Sequence, residues 1–216
     1  MRNFLEIIPM LDNLGNSIGT IERDKAHLEG IWHPVSSFLF YSQEGEEIFF
    51  YFAKRSFKKS TFPGKLEFTA SGHVTIKDKA EDIYREVFEE LGLNLPPERF
   101  SLVGQLPLAL EYETLNATFN IREFYNIYLV NFSPAGGKLK LDFEEIDSLY
   151  KINWRDLDAL LSNRSTSLKA TKLNFQDYDF NIITTLERGD FMPYPDEFGK
   201  ALLEKLEPFV ISLLNS

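Results

Sequence analysis

Five acidic residues crowd the stretch EDIYREVFEEL at positions 81–91. At 3.6 residues per turn, Glu86, Glu89 and Glu90 stand at i, i+3 and i+4, so their carboxylates share one helix face, with Asp82 a turn earlier on the same side. Like charges at i,i+4 destabilise an isolated helix by about 0.2–0.5 kcal/mol per pair. Asp82 with Glu86 and Glu86 with Glu90 form such pairs, and no basic residue shares their face. A hard divalent cation would offset the repulsion. Mg²⁺ typically takes one or two protein carboxylates plus the phosphates of a substrate, so metal-assisted phosphate chemistry is the expectation.

A second set of chemically capable residues is the histidines: the chain has three, His27, His33 and His73, and no cysteine. Without cysteine, disulfides, thiolate catalysis and thiolate-ligated zinc are excluded, and a reducing compartment is expected. The net charge of −10 argues against nucleic acid or an anionic membrane as partner, since both demand clustered Lys and Arg. MRNFLEIIPML is too short and too acidic for a signal peptide, and no apolar run approaches a membrane span. The expectation is a soluble cytoplasmic protein acting on a small molecule.

The elements that must position these residues follow from pattern. The 216 residues, 44% hydrophobic with 20 Phe, suffice for one large core. Phe4 to Leu11 and Ile18 to Ile21 flank a turn cluster and read as a hairpin, a plausible dimer edge. ERDKAHLEG reads as a brief helix ended by Gly30. GIWHPVSSFLFYSQ and EEIFFYFAKR read as two strands joined near Gly45, and Leu66 to Thr69 as a short strand after the Pro63-Gly64 turn. Ala80, Ile83, Val87 and Leu91 form the apolar stripe of the acidic helix, which Leu95-Pro96-Pro97 stops. Phe100 to Pro107 and REFYNIYLVNF are strands, followed by a Gly-rich turn at 134–138 and a charged strand. Leu149 to Trp154 is a strand, Trp154 to Leu161 a helix, and polar Asn163 to Thr171 a loop. DEFGKALLEKLEPFVISLL is a closing helix interrupted by Pro208.

The segment Ser71 to Leu93 resembles the Nudix box, G-x5-E-x7-R-E-U-x-E-E-x-G-U with U aliphatic. Gly72, Arg85, Glu86, Val87, Glu89, Glu90, Gly92 and Leu93 match it. Asp78 replaces the first glutamate, and six residues rather than seven separate it from Arg85. The resemblance implies an α/β fold, a Nudix-type α/β/α sandwich with a mixed sheet. Its core would span about 34–160, with residues 1–33 as an N-terminal hairpin extension and 161–216 as a C-terminal helical extension of one domain. It implies Glu86, Glu90 and the Gly72 carbonyl as ligands of Mg²⁺ or Mn²⁺, Glu89 as third ligand or base, and Arg85 as orienter of the carboxylates.

The sequence looks most like the Nudix subgroup that includes isopentenyl-diphosphate isomerase. There, histidines matching His27, His33 and His73, together with a glutamate matching Glu123, bind a further divalent metal. Ile121 stands where a second glutamate would be, and Ser71 where the isomerase has its cysteine. Arg55, Lys58 and Lys59 precede the TFPG turn, where the isomerase holds its diphosphate. The implied activity is metal-dependent hydrolysis of an X-diphosphate, with Glu89 or Glu123 favoured as base over Glu111 and Glu113. An isomerase-like enzyme and a catalytically reduced nucleotide-sensing module are the alternatives.

Overall fold

The computed structural model describes residues 6–79, 82–114, 118–132, 139–174 and 179–215. The chain opens with a hairpin, β1 (Ile7–Leu11) and β2 (Ser17–Glu22), followed by α1 (Arg23–Glu29). Gly30 ends α1 in the left-handed region at φ 68°, the conformation that glycine adopts without a side-chain penalty. Then come β3 (His33–Glu44), β4 (Glu47–Arg55), β5 (Leu66–Phe68), β6 (Ala70–His73), α2 (Arg85–Leu91), β7 (Phe100–Glu113) and β8 (Thr118–Asn131). β9 (Ile146–Asn153), α3 (Trp154–Leu161), β10 (Ser167–Asn174), β11 (Asp179–Glu187) and α4 (Asp196–Leu214) complete the order.

Nine strands form one mixed sheet in the order β11-β10-β9-β4-β3-β8-β7, with β5 on β4 and β6 on β3. β3 and β8 are parallel; the other ladders are antiparallel. Period-two alternation explains the layers. Ile48, Phe50 and Phe52 of β4 join Leu39, Ile127 and Leu129 under α3 and α4. Tyr51 and Ala53 of the same strand turn to the opposite face, where Val87 and Leu91 of α2 pack on Phe38, Phe40 and Ala70. Helices therefore cover both faces, and each large apolar side chain fully buried there contributes about 1.5–3 kcal/mol.

The sheet forks between β3 and β4. They pair from Phe40 and Tyr51 to the hairpin end, then diverge, β6 taking over beside β3 and β5 beside β4. Thr69 sits in the crotch: its Oγ1 accepts the Phe40 N–H at 2.9 Å and donates to the Tyr51 carbonyl at 2.5 Å. One buried hydroxyl satisfies the two backbone groups that parting strands would orphan.

Several elements differ from the sequence expectation. Asn163 to Thr171 is not a loop: β10 begins at Ser167, and Leu168, Ala170 and Leu173 face the core while Lys169 faces solvent. The C-terminal extension thus holds two strands as well as the closing helix. α4 runs through Pro208 without interruption, its buried Leu206 and Val210 holding both sides of the proline. α2 stops at Gly92 (φ 70°), before Leu95-Pro96-Pro97. No charged strand follows the 134–138 turn, which lies outside the described residues. Residues 139–142 instead run past the end of α2, where the Lys140 and Asp142 amides donate to the carbonyls of Leu91 and Glu90. Residues 82–84 form a 3-10 turn rather than a continuation of the helix. Val87 and Leu91 of the apolar stripe are buried, whereas Ala80 and the Ile83 side chain lie outside the described part.

Candidate functional site

The fork opens a cavity of about 810 Å³. Glu86, Glu89 and Glu90 line it from α2, Gly72 and His73 from β6, Glu67 from β5, Glu123 and Tyr125 from β8, and His27 from α1. Both terminal extensions reach it. Glu6 and Ile7 come from the N-terminal end, and Met192 comes from the segment whose amide donates to the Leu66 carbonyl at 2.8 Å.

On the α2 side, Arg85 stands between two of the three glutamates, 2.8 Å from Glu86 Oε1 and 2.6 Å from Glu89 Oε2. Glycine at position 72 is a steric requirement. A Cβ there would lie 2.1 Å from Glu86 Cδ, so the glutamate side chain occupies the space a substituent would fill. Burial pushes the Glu86 carboxyl up to about 7, against the opposing pull of Arg85 and with Glu89 adding to the rise. Glu90 is 8% exposed and accepts no hydrogen bond from any described residue. Burial, followed by the charges of Glu67 and Glu86, holds it well above the ordinary carboxylate range. Asp82 is not part of this face: its carboxylate caps the Lys79 amide at 2.9 Å. Asp78 accepts the Thr75 amide at 2.7 Å and contributes the third negative charge around Arg85, after Glu86 and Glu89.

Opposite lies a centre built by strand register. Parallel pairing sets His33 beside Glu123, antiparallel pairing sets His73 beside Val35, and α1 brings His27 over both. The Nε2 atoms of His27, His33 and His73 stand 3.4, 3.5 and 3.6 Å from Glu123 Oε1, and those of His27 and His73 are 3.1 Å apart. Neighbouring ligand atoms of a tetrahedral centre with bonds of about 2.0–2.2 Å lie about 3.3–3.6 Å apart, so the spacing fits an ion at the middle. His33 Nδ1 donates to the Ile31 carbonyl at 2.7 Å, which leaves the Nε2 lone pair facing the group. That Nε2 is buried with no hydrogen-bond partner, an orphan that a metal would satisfy. Burial pushes His73 down, towards the neutral ligand form. Burial pushes Glu123 up, but the three imidazoles outweigh it and hold the carboxyl well below its usual range. Among the described residues this is the one group of His and acidic side chains whose ligand atoms all converge within 4.8 Å.

The basic residues before TFPG separate in space. The Arg55 guanidinium is spent internally: Nη1 on Glu67 at 2.6 Å, Nε on the Thr61 carbonyl at 3.1 Å and Nη2 on the Thr61 hydroxyl at 3.3 Å. Lys59 lines the cavity paired with Glu145, whereas Lys58 points away onto Glu144 at the surface. Glu111 and Glu113 are not among the cavity residues. Reading the sequence alone missed Glu67 and the basic residues Arg23 and Lys77, which also line the cavity. Their signal is weak: Glu67 is the one outward position of a three-residue strand.

Fold and site together define an α/β protein with an acidic helix and a histidine–carboxylate centre facing one cavity. Residues 28–175 match the NUDIX domain, and the chain belongs to the Nudix family as a pyrophosphohydrolase-type enzyme. It is 27% identical over 204 residues to a Nudix hydrolase of Clostridium acetobutylicum, covering 93% of this chain and 97% of that one. A Nudix hydrolase of Rhodococcus erythropolis is 32% identical over 89 residues, 41% of this chain and 47% of that one. A MutT/nudix family protein from Enterococcus faecalis, 12% identical, shares the fold with a TM-score of 0.51 over 82% of this chain and 61% of that one. Among the described residues, no helix is long and apolar enough to cross a membrane.

Proposed function

We propose that the chain hydrolyses the diphosphate linkage of a small X-diphosphate in a reaction that depends on a divalent metal. The observation that carries the reading is the meeting of Glu86, Glu89 and Glu90 with the His27, His33, His73 and Glu123 group across one cavity. The oxygen-rich glutamate face suits Mg²⁺ or Mn²⁺, and the nitrogen-rich centre suits a borderline ion such as Zn²⁺ or Mn²⁺. Bound metal supplies charge neutralisation at the phosphoryl group and acidifies an attacking water.

The protein's own part is positioning and proton transfer. Glu86 and Glu90 hold the cation, with Gly72 leaving room for Glu86 against the backbone. Arg85, bonded to both Glu86 and Glu89, offsets their mutual repulsion and fixes their carboxylates. Glu89 is the favoured general base: it is half-exposed and faces the cavity. Glu123 is less suited, because three imidazoles stabilise its charged form and weaken it as a proton acceptor. Lys77, with Lys59 and Arg23 once they exchange Glu145 and Glu6 for substrate, would meet the phosphate oxygens left free.

The isomerase-like reading uses the same histidine centre but requires an acid–base group at Ser71. That hydroxyl bonds to Ser37 Oγ at 3.2 Å and lacks the acidity of a thiol, so hydrolysis is preferred. Glu86→Gln and Glu90→Gln test the assignment. Loss of metal-dependent turnover by 100-fold or more supports it, and wild-type rates in both variants would remove these residues from the mechanism.

A further inference from the structure

Glu67 is an acidic residue in a place that asks for an explanation. β5 alternates: Leu66 and Phe68 enter the core under α3 and α4, and Glu67, paired in register with Ala53, turns to the α2 face. There it lines the cavity together with Glu90. Arg55, half-encircled by Thr61, grips one Glu67 oxygen at 2.6 Å, and the second oxygen accepts no hydrogen bond from any described residue.

An Arg55–Glu67 ion pair alone would be a sufficient structural role if Glu67 met neutral neighbours. Instead it lines the same cavity as Glu90, a residue more than nine-tenths buried whose carboxylate accepts no hydrogen bond from any described residue. Three of the cavity's basic residues are each paired with a carboxylate other than that of Glu90, Arg55 with Glu67, Lys59 with Glu145 and Arg85 with Glu86 and Glu89. A buried carboxylate that shares its cavity with a second, partly buried one is costly unless a cation joins them.

We propose that Glu67 is a further ligand of the divalent cation held at Glu86 and Glu90, presented from β5 by Arg55. The proposal rests on the metal-dependent reading above and adds a ligand from outside the acidic helix. Arg55 is then a positioning residue: its fork fixes the carboxylate, so the metal-facing oxygen is set before any ion arrives. The three ligand carboxylates would come from two elements on opposite sides of the fork, tying its depth to the ion.

Mn²⁺ titration of the full chain, followed by the electron paramagnetic resonance of free Mn²⁺, tests this. The histidine centre is first loaded with one equivalent of Zn²⁺, which nitrogen donors prefer to Mn²⁺. Glu67→Gln keeps the shape and an acceptor for Arg55, and it should weaken Mn²⁺ binding tenfold or more while the metal-free protein, though less stable, stays folded by circular dichroism. Glu67→Asp keeps the charge but shortens the reach, and it should weaken binding too, covering the case in which the amide folds poorly. Wild-type Mn²⁺ affinity in both Glu67 variants, with Glu90→Gln still weakened, would overturn the Glu67 assignment and leave the proposed function standing. Unchanged Mn²⁺ affinity in Glu90→Gln as well would overturn both.

Discussion

His33 and Glu123 are partners by strand register, paired across the parallel β3–β8 ladder, with His33 Nε2 3.5 Å from Glu123 Oε1. Because the Ile31 carbonyl holds the opposite ring nitrogen, the His33 lone pair faces Glu123 with no hydrogen-bond partner among the described residues, a repulsive arrangement unless a proton or a metal lies between. Adding Zn²⁺, which the nitrogen-rich centre prefers, to metal-stripped protein should therefore raise the thermal midpoint. At 100 times the dissociation constant the gain is about 2.7 kcal/mol, or several degrees for a chain of this size. His33→Ala should abolish that shift, and scanning calorimetry with and without metal is the check. A shift that survives in His33→Ala would place the stabilising ion elsewhere.

Gly72→Ala should disable the site while sparing the fold. The new methyl group would overlap Glu86 Cδ, and the far end of a side chain can move where backbone cannot. The expected stability loss is about 1–3 kcal/mol, typical of overpacking. The displaced Glu86 should cost activity 100-fold or more, read from initial rates on whichever diphosphate the wild type accepts.

Metal-free stability should fall as pH rises from about 4.5 to about 7. Glu86 has its carboxyl pushed up to about 7 from an ordinary 4.5, so the native chain keeps a proton that the unfolded chain has lost. A retained proton favours the native state at the acidic end of that window, and the advantage disappears as pH climbs, at up to about 1.4 kcal/mol per pH unit. Glu123 acts in the opposite sense: its depressed value gives stability that is present above about 4.5 and lost as pH falls through its folded value. Metal must displace the Glu86 proton, so affinity should rise across the same window and level off above it. Urea midpoints in EDTA and Mn²⁺ titrations from pH 5 to 8 measure both slopes.

Thr69→Val should destabilise the fork without touching the chemistry. It removes the hydroxyl that serves the Phe40 amide and the Tyr51 carbonyl, leaving two buried backbone groups unpaired at about 1–3 kcal/mol. Equilibrium denaturation would show the loss, and a variant as stable as wild type would mean that the strands re-pair when the hydroxyl is gone.

Much of the site was legible because its parts are local. The i, i+3, i+4 glutamates and Arg85 lie within one seven-residue helix, and α1 with its Gly30 cap is readable in the same way. The convergence of His27, His33, His73 and Glu123 was visible through family resemblance alone, since it depends on a parallel ladder between strands some ninety residues apart. Glu67 left almost no trace, because three residues are too few to display alternation. β10 was hidden by Lys169, Thr171 and Lys172, polar residues that read as a loop until Leu168, Ala170 and Leu173 are seen to face the core. Pro208 misled in the opposite direction, since tertiary packing on both sides outweighs one lost helical hydrogen bond.

The central claim is metal-dependent cleavage of a diphosphate, and one assay addresses it directly. Phosphate or monophosphate release is followed over nucleoside triphosphates, dinucleoside polyphosphates, ADP-ribose, nucleotide sugars, CoA, thiamine diphosphate and isoprenoid diphosphates, with Mg²⁺ or Mn²⁺ and with EDTA. Turnover of at least one compound that EDTA abolishes and added metal restores is the predicted result. Turnover indifferent to EDTA, or silence across the panel while one of the same compounds raises the thermal midpoint, would contradict it.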